Sequence, residues 1–174
     1  MTSLTAATLP KLNAGVSVPR YDRRQVTTGI VHISVGNFHR AHQAMYIDAL
    51  MNSGAAMDWG ICGIGLQPSS TRMRDVMAAQ DGLYTLVLRH PEGTWDARVI
   101  GSIVEFLFAA DDPGPAIEKM AAPATRIVSL TVTEGGYGLD AVTGDFNASD
   151  ESVVADLRPG AAPRTMFGLS LIHI

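Results

Sequence analysis

Residues 30–43 read Ile30-Val31-His32-Ile33-Ser34-Val35-Gly36-Asn37-Phe38-His39-Arg40-Ala41-His42-Gln43, and this stretch decides the fold. Ile30 to Val35 is a short apolar run rich in β-branched residues, which suits a buried strand. Gly36-Asn37 makes a turn, and a helix is expected from Phe38 to Met51. Strand, glycine turn and helix together leave free backbone N–H groups at a helix N-terminus, where an anion such as a pyrophosphate is favoured. Ser34, Gly36, Asn37, Phe38, His39 and Arg40 are therefore read as a dinucleotide-type phosphate turn. The alternative is an ordinary βα turn. The usual fingerprint is G-x-G-x-x-G. Here Gly36 keeps the middle position, while Ser34 and His39 stand where the first and third glycines belong.

Outward from this turn, Asn52-Ser53-Gly54 ends the helix, with glycine suited to a left-handed cap. Trp59 to Leu66 reads as a second buried strand, and Gln67-Pro68-Ser69-Ser70 breaks it. Ser70 is the expected N-cap of a helix over 71–80. Leu83 to Arg89 and Thr94 to Ile100 pair across a hairpin loop at His90-Pro91-Glu92-Gly93. Ser102 to Phe108 is extended, Asp111-Asp112-Pro113 opens a helix to about Met120, and Arg126 to Thr133 is a β-branched strand. A last helix begins near Glu151 or near Pro163. Strands alternating with helices give an α/β class: a Rossmann-like, doubly wound, mostly parallel sheet with a small antiparallel insertion around Gly93. Met45, Leu50, Met51 and Tyr137 are expected to pack.

The chain has 174 residues, 47% of them apolar and 17% charged, enough for a sizeable core in one domain. Its formal charge of −4 gives no footprint for nucleic acid or for an anionic membrane. The first 13 residues show no signal-peptide pattern, and no apolar run approaches the ~20 residues of a membrane span. Cys62 is the only cysteine, which excludes an internal disulfide and points to a reducing, cytoplasmic compartment. Arg20, Arg23 and Arg24 form either a phosphate-contacting patch or, the better reading, a solvated face. His39 and His42 have a spacing that metal sites use, but no third ligand accompanies them, so no metal is expected.

The words of the turn are more specific than its spacing. Gly36 to Gln43 resembles the GxFHRAHQ turn of the mannitol dehydrogenase and fructuronate reductase family, the long-chain polyol dehydrogenases. Trp59 to Leu66, Gln80-Asp81-Gly82-Leu83-Tyr84-Thr85-Leu86, and the TVTEGGY segment within Ser129 to Tyr137 resemble further segments of that family, in the same order. The resemblance divides the chain into an arm over 1–27, an NAD(P)-binding domain over 28–169, and an atypical end over 170–174. It implies hydride transfer between C2 of a polyol or ketose and NAD or NADP. Mannitol and fructose lead as the pair, with fructuronate and mannonate next.

In such a sheet the ligand lies outside the carboxyl ends of the strands. That adds Gln67 after the second strand, and Thr133 and Glu134 after the strand that should end near the nicotinamide, to the candidate cofactor contacts. Glu134 has the alternative of a loop carboxylate. NAD sites usually place an acid after the second strand; the stretch 67–72 has none, and Ser69, Ser70 and Arg72 could accept a 2′-phosphate. The family's lysine base, with its asparagine and histidine neighbours, belongs to a later domain, and Lys11 and Lys119 match no such context. No catalytic residue is therefore expected in this chain, which reads as a truncation. A stand-alone nucleotide-binding module and a non-functional fragment are the other readings.

Overall fold

The computed structural model describes residues 4–12, 15–131, 137–140 and 142–173. In chain order the strands are Val16–Ser17 (β1), Thr28–Ile33 (β2), Gly60–Gly65 (β3), Tyr84–Arg89 (β4), Trp95–Ile100 (β5), Ile103–Phe108 (β6) and Ile127–Leu130 (β7). The α-helices are Asn37–Ala41 (α1), Gln43–Asn52 (α2), Thr71–Ala79 (α3), Gly114–Ala121 (α4), Glu151–Asp156 (α5) and Met166–His173 (α6). None of the described helices is long and apolar enough to cross a membrane.

The main sheet runs β6-β3-β2-β7, with all three pairings parallel. The chain moves outward from β2 through β3 to β6, then crosses back to place β7 on the other side of β2. Because successive strand residues point to opposite faces, β2 feeds two cores. Val31 and Ile33 join Ile64, Leu66, Met120 of α4 and Leu169 of α6. Ile30 joins Ile61, Ala44 of α2, Met77 of α3 and Tyr84. Helices thus cover both faces, which is why β2 and β3 read as unbroken apolar runs.

The expected antiparallel insertion is the β4–β5 pair, in register from Tyr84↔Ile100 to Arg89↔Trp95. It belongs to a separate three-stranded sheet, in which β1 pairs parallel with β5. The arm is therefore more than an irregular lead. Tyr21 Oη donates to Asp48 Oδ1 at 2.6 Å, and the Asp48 carboxylate also accepts from Asn52 Nδ2 and from the Gly101 amide, each at 2.8 Å. Burial raises the Asp48 carboxyl above its ordinary range. Arg23 donates to the carbonyls of Gly101 at 2.8 Å and Ile103 at 2.9 Å. It therefore fastens the arm to the β5–β6 turn, whereas Arg20 and Arg24 remain exposed, Arg24 paired with Asp22.

Several local expectations change. Leu50 is 48% exposed and Tyr137 50% exposed, so neither is core, whereas Met51 is buried. Ser70 makes no side-chain cap; a 3-10 turn over Pro68–Ser70 leads into α3 instead. Both proposed starts of the last helix are used. α5 is capped by the Asp150 carboxylate, which accepts from the Ser152 and Val153 amides. The Asp156 carboxylate then takes the Arg164 and Thr165 amides at 2.7 and 2.8 Å, which sets the entry to α6.

Candidate dinucleotide site

The turn after β2 is built from three separate constraints. Ser34 has φ +70°, the left-handed region that glycine occupies without cost, so serine holds the bend that the first fingerprint glycine would make. The Ser34 amide donates to the Ile64 carbonyl at 2.9 Å, and the Gly36 amide to the Ser34 carbonyl at 2.8 Å. The turn is thereby tied to the end of β3. Val35 then packs onto Gly63, where a Cβ would lie 2.5 Å from Val35 Cγ2. Gly63 is thus a positioning residue of the turn that spacing rules around Gly36 did not single out.

Gly36 itself is extended, at φ −93° and ψ −176°, and a Cβ there would meet only the Ser34 carbonyl oxygen at 3.9 Å. Its own fold does not need glycine. A side chain at 36 would instead project into open space beside the turn.

The helix expected over 38–51 is two helices. At His42 the backbone turns to φ −120°, ψ −85°. The cause lies 44 residues beyond Arg40: Tyr84 Oη donates to the Arg40 carbonyl at 2.6 Å, the group a continuous helix would offer to the amide four residues on. His42 Nδ1 lies 2.8 Å from the Phe38 carbonyl oxygen, and the two rings stack at 4.3 Å. Phe38 is nevertheless 65% exposed. Arg40 folds back over the turn, donating to Asn37 Oδ1 and, at 3.4 Å, to the Gly36 carbonyl. α1 is a single turn, so the guanidinium, more than a helix dipole, supplies positive charge at the turn.

His39 takes the third glycine's place in another way. That glycine permits close helix–strand approach; here a flat ring does so. His39 is 1% exposed and stacks on His32 of β2 at 3.6 Å, with 9° between the rings. His32 Nδ1 lies 2.8 Å from Ser129 Oγ, and its Nε2 lies 3.3 Å from Thr131 Oγ1. Neither ring nitrogen of His39 has a hydrogen-bond partner among the described residues. Burial pushes His39 down to about 3, helped by the charges of His32 and Arg40. Burial likewise pushes His32 down to about 4, with the Ser34 backbone opposing. Both rings are neutral near pH 7. His39 and His42 engage different partners, and no cluster of metal-ligating side chains occurs among the described residues.

Gln67 is exposed at the end of β3, and its carbonyl accepts from the Ser70 amide at 2.8 Å. A cleft of about 370 Å³ opens there, beyond the ends of β3 and β6, between Leu66, Pro68, Asp111 and Arg164. Arg72, Ser69 and Gln67 are exposed beside this break. Thr133 and Glu134 lie outside the described residues. A larger cleft, about 460 Å³, follows the β6 edge. Charged side chains on its wall already have partners, Arg23 in backbone carbonyls and Arg74 in Asp75 and Asp111.

A sequence model of the mannitol dehydrogenase Rossmann domain matches residues 28–169. Mannitol 2-dehydrogenase of Pyricularia oryzae is 49% identical over 155 residues, covering 88% of this chain and 31% of that protein. The solved mannitol 2-dehydrogenase of Pseudomonas fluorescens, a ternary complex with NAD and D-mannitol, superposes with a TM-score of 0.92 at 44% identity. It covers 99% of this chain and 35% of its own length. A substrate-free D-sorbitol dehydrogenase superposes with a TM-score of 0.87 at 40% identity, over 98% of this chain and 35% of its own. The chain thus spans about a third of the length of the relatives it matches. By sequence and by superposition, this chain belongs to the mannitol dehydrogenase family and carries that family's Rossmann domain.

Proposed function

We propose that this chain is the cofactor-binding domain of an NAD(P)-dependent polyol dehydrogenase. In the whole protein it would serve hydride transfer between C2 of a mannitol-type polyol and the matching ketose. The observation that carries this reading is the place of the turn. It sits at the carboxyl end of β2, where the strand order reverses between β3 and β7, the crevice in which open α/β sheets take ligands. The cofactor, when bound, supplies the hydride acceptor or donor. The amides of Asn37 and Phe38, with the Arg40 guanidinium beside them, suit a pyrophosphate; Ser34 and His39 hold that turn in shape, and the Gly36 amide closes it on the Ser34 carbonyl. Gln67 suits the adenosine ribose, and Thr133 and Glu134 the nicotinamide end. With no carboxylate in 67–72, a 2′-phosphate is not repelled there, so NADP is accepted beside NAD. The relatives that support this reading are a mannitol and a sorbitol enzyme, which favours hexitols over sugar acids.

Calorimetric titration of the purified chain with NAD⁺ and NADP⁺ tests the reading. Both bind, with a preference for NAD⁺ below a hundredfold, roughly 2.7 kcal/mol. Gly36→Val, which the open space at Gly36 lets fold, weakens NAD⁺ binding at least tenfold with an unchanged urea midpoint. Equal affinity in the folded variant refutes the turn. The chain alone oxidises no mannitol, because alcohol oxidation needs a positioned base that the family resemblance places in another domain. Turnover of about 1 per second would put catalytic residues within these 174 positions.

A further inference from the structure

The stacked histidines join two parts of the candidate site that lie 90 residues apart in sequence. His39 is on α1, within the turn that faces the pyrophosphate. Its partner His32 is near the carboxyl end of β2, paired in register with Ser129 of β7. Ser129 of β7 and Thr131, one residue past its end, bracket the His32 ring with their hydroxyls at 2.8 and 3.3 Å. A hydroxyl both donates and accepts, so this pair serves either tautomer of a neutral imidazole. Ser129 Oγ also reaches Gln43 Oε1 at the start of α2, at 3.4 Å. β7 leads directly into residues 132–136, where the nicotinamide contacts are proposed. No described protein group bonds the His39 nitrogens, so what the ring offers its surroundings is its flat face against His32.

We propose that His39, through its stack on His32, is a positioning residue for the dinucleotide turn, setting the Asn37 and Phe38 amides at a fixed height above β2 and in register with the end of β7. The stack locks α1 in rotation and distance, while the Ser129 and Thr131 hydroxyls lock the plane of the ring beneath it. This inference rests on the dinucleotide reading of the same turn and adds the device that holds its two ends together.

The test is NAD⁺ affinity, by calorimetry at pH 7.5, on purified chains whose folding is checked by circular dichroism and urea titration. His39→Ala removes the face and weakens NAD⁺ binding at least tenfold in folded protein. His39→Phe restores a flat ring and brings the affinity back to within about threefold of wild type. A double substitution, Ser129→Ala with Thr131→Val, keeps both rings but frees His32 and weakens binding at least fivefold. Added to His39→Ala it has little further effect, because the link is already cut. A purely structural histidine lowers the urea midpoint without these affinity changes. Folded His39→Ala within twofold of wild type, or His39→Phe as weak as His39→Ala, overturns the proposal. If His39→Ala does not fold, unchanged affinity in the Ser129→Ala, Thr131→Val chain overturns it. Should wild type bind neither NAD⁺ nor NADP⁺, the dinucleotide reading fails, and the positioning role is judged from the ¹⁵N amide signals of Asn37 and Phe38. These move in His39→Ala and return in His39→Phe; signals that stay still in both variants refute it.

Discussion

Two buried polar centres flank the helices that follow β2, and they are finished differently. Around Asp48 each carboxylate oxygen is used, by Tyr21, Asn52 and the Gly101 amide. Around His39 a 1%-exposed ring has a stacking partner and no bonded nitrogen among the described residues. The first cluster joins the arm, α2 and the β5–β6 turn, elements with no part in the proposed cofactor contacts. The second lies directly beneath the turn that has one. A fully satisfied buried network specifies a fold, whereas an incompletely satisfied one in a native protein calls for another explanation. The difference separates what fastens this domain from what shapes its site.

The largest effect expected from breaking this contrast is at Asp48. Asp48→Ala strands three donors, each costing about 1–3 kcal/mol, so unfolding free energy should fall by roughly 3–5 kcal/mol in urea titration. The NAD⁺ affinity of the remaining folded protein should stay within about twofold. Loss of affinity without loss of stability would erase the distinction between the centres.

Acidity sharpens it further, because the two centres respond with opposite sign. His32 and His39 have folded values of about 4 and 3 against an ordinary 6.5. Below pH 6.5 the unfolded chain takes up protons that the folded one refuses, and stability falls as pH drops toward 4. Between pH 7.5 and 5 this amounts to about 2 kcal/mol for each ring. Asp48 is raised above 3.8. Its folded form binds a proton more readily than the unfolded chain, so its share of stability is present in acid and is lost as pH rises through its folded value. Urea midpoints across pH 5–7.5 should therefore rise with pH in wild type, and less steeply in His39→Phe. A flat profile would show that the histidines are solvated.

The smallest effect is at the bend beside the second centre. Ser34 carries a left-handed φ of +70° in an exposed position. Ser34→Gly relieves about 1–2 kcal/mol of backbone strain and returns about half of it as unfolded-chain entropy. A gain of up to ~1 kcal/mol in thermal or urea unfolding is expected; destabilisation would mean that the Ser34 side chain holds the turn.

Much of this fold was legible because local signals agreed with their surroundings. β2 and β3 are apolar on both faces, the His90–Gly93 loop sits between alternating runs, and Asp112 announces α4 by taking the Gly114 amide. The errors share a cause in distant partners. A helix read as continuous is broken at His42 because Tyr84 takes a carbonyl from it. Arg23 leaves the solvated patch for two carbonyls some 80 residues away. Ser70 packs its Cβ toward Gly65 instead of capping. In the site, Gly36 and Arg40 are legible from the turn's spacing and wording. His32 is not, since within an apolar run it resembles any strand residue; its role exists only through His39 and β7. Gly63 is likewise a glycine in a strand until Val35 is laid across it.

The order β6-β3-β2-β7 also has a consequence in time. β2 pairs with β3 about 30 residues later, but its other neighbour is reached only at Ile127, opposite Ile30 and 97 residues downstream. At synthesis rates of about 5–20 residues per second, the β2 edge waits roughly 5–20 s on the ribosome before β7 emerges. During that interval a strand destined to be buried has an open hydrogen-bonding edge, the form in which strands recruit one another, and Ser129 and Thr131 have not yet arrived to hold His32. The strand that anchors the site is thus complete only after the last strand of its sheet has been made.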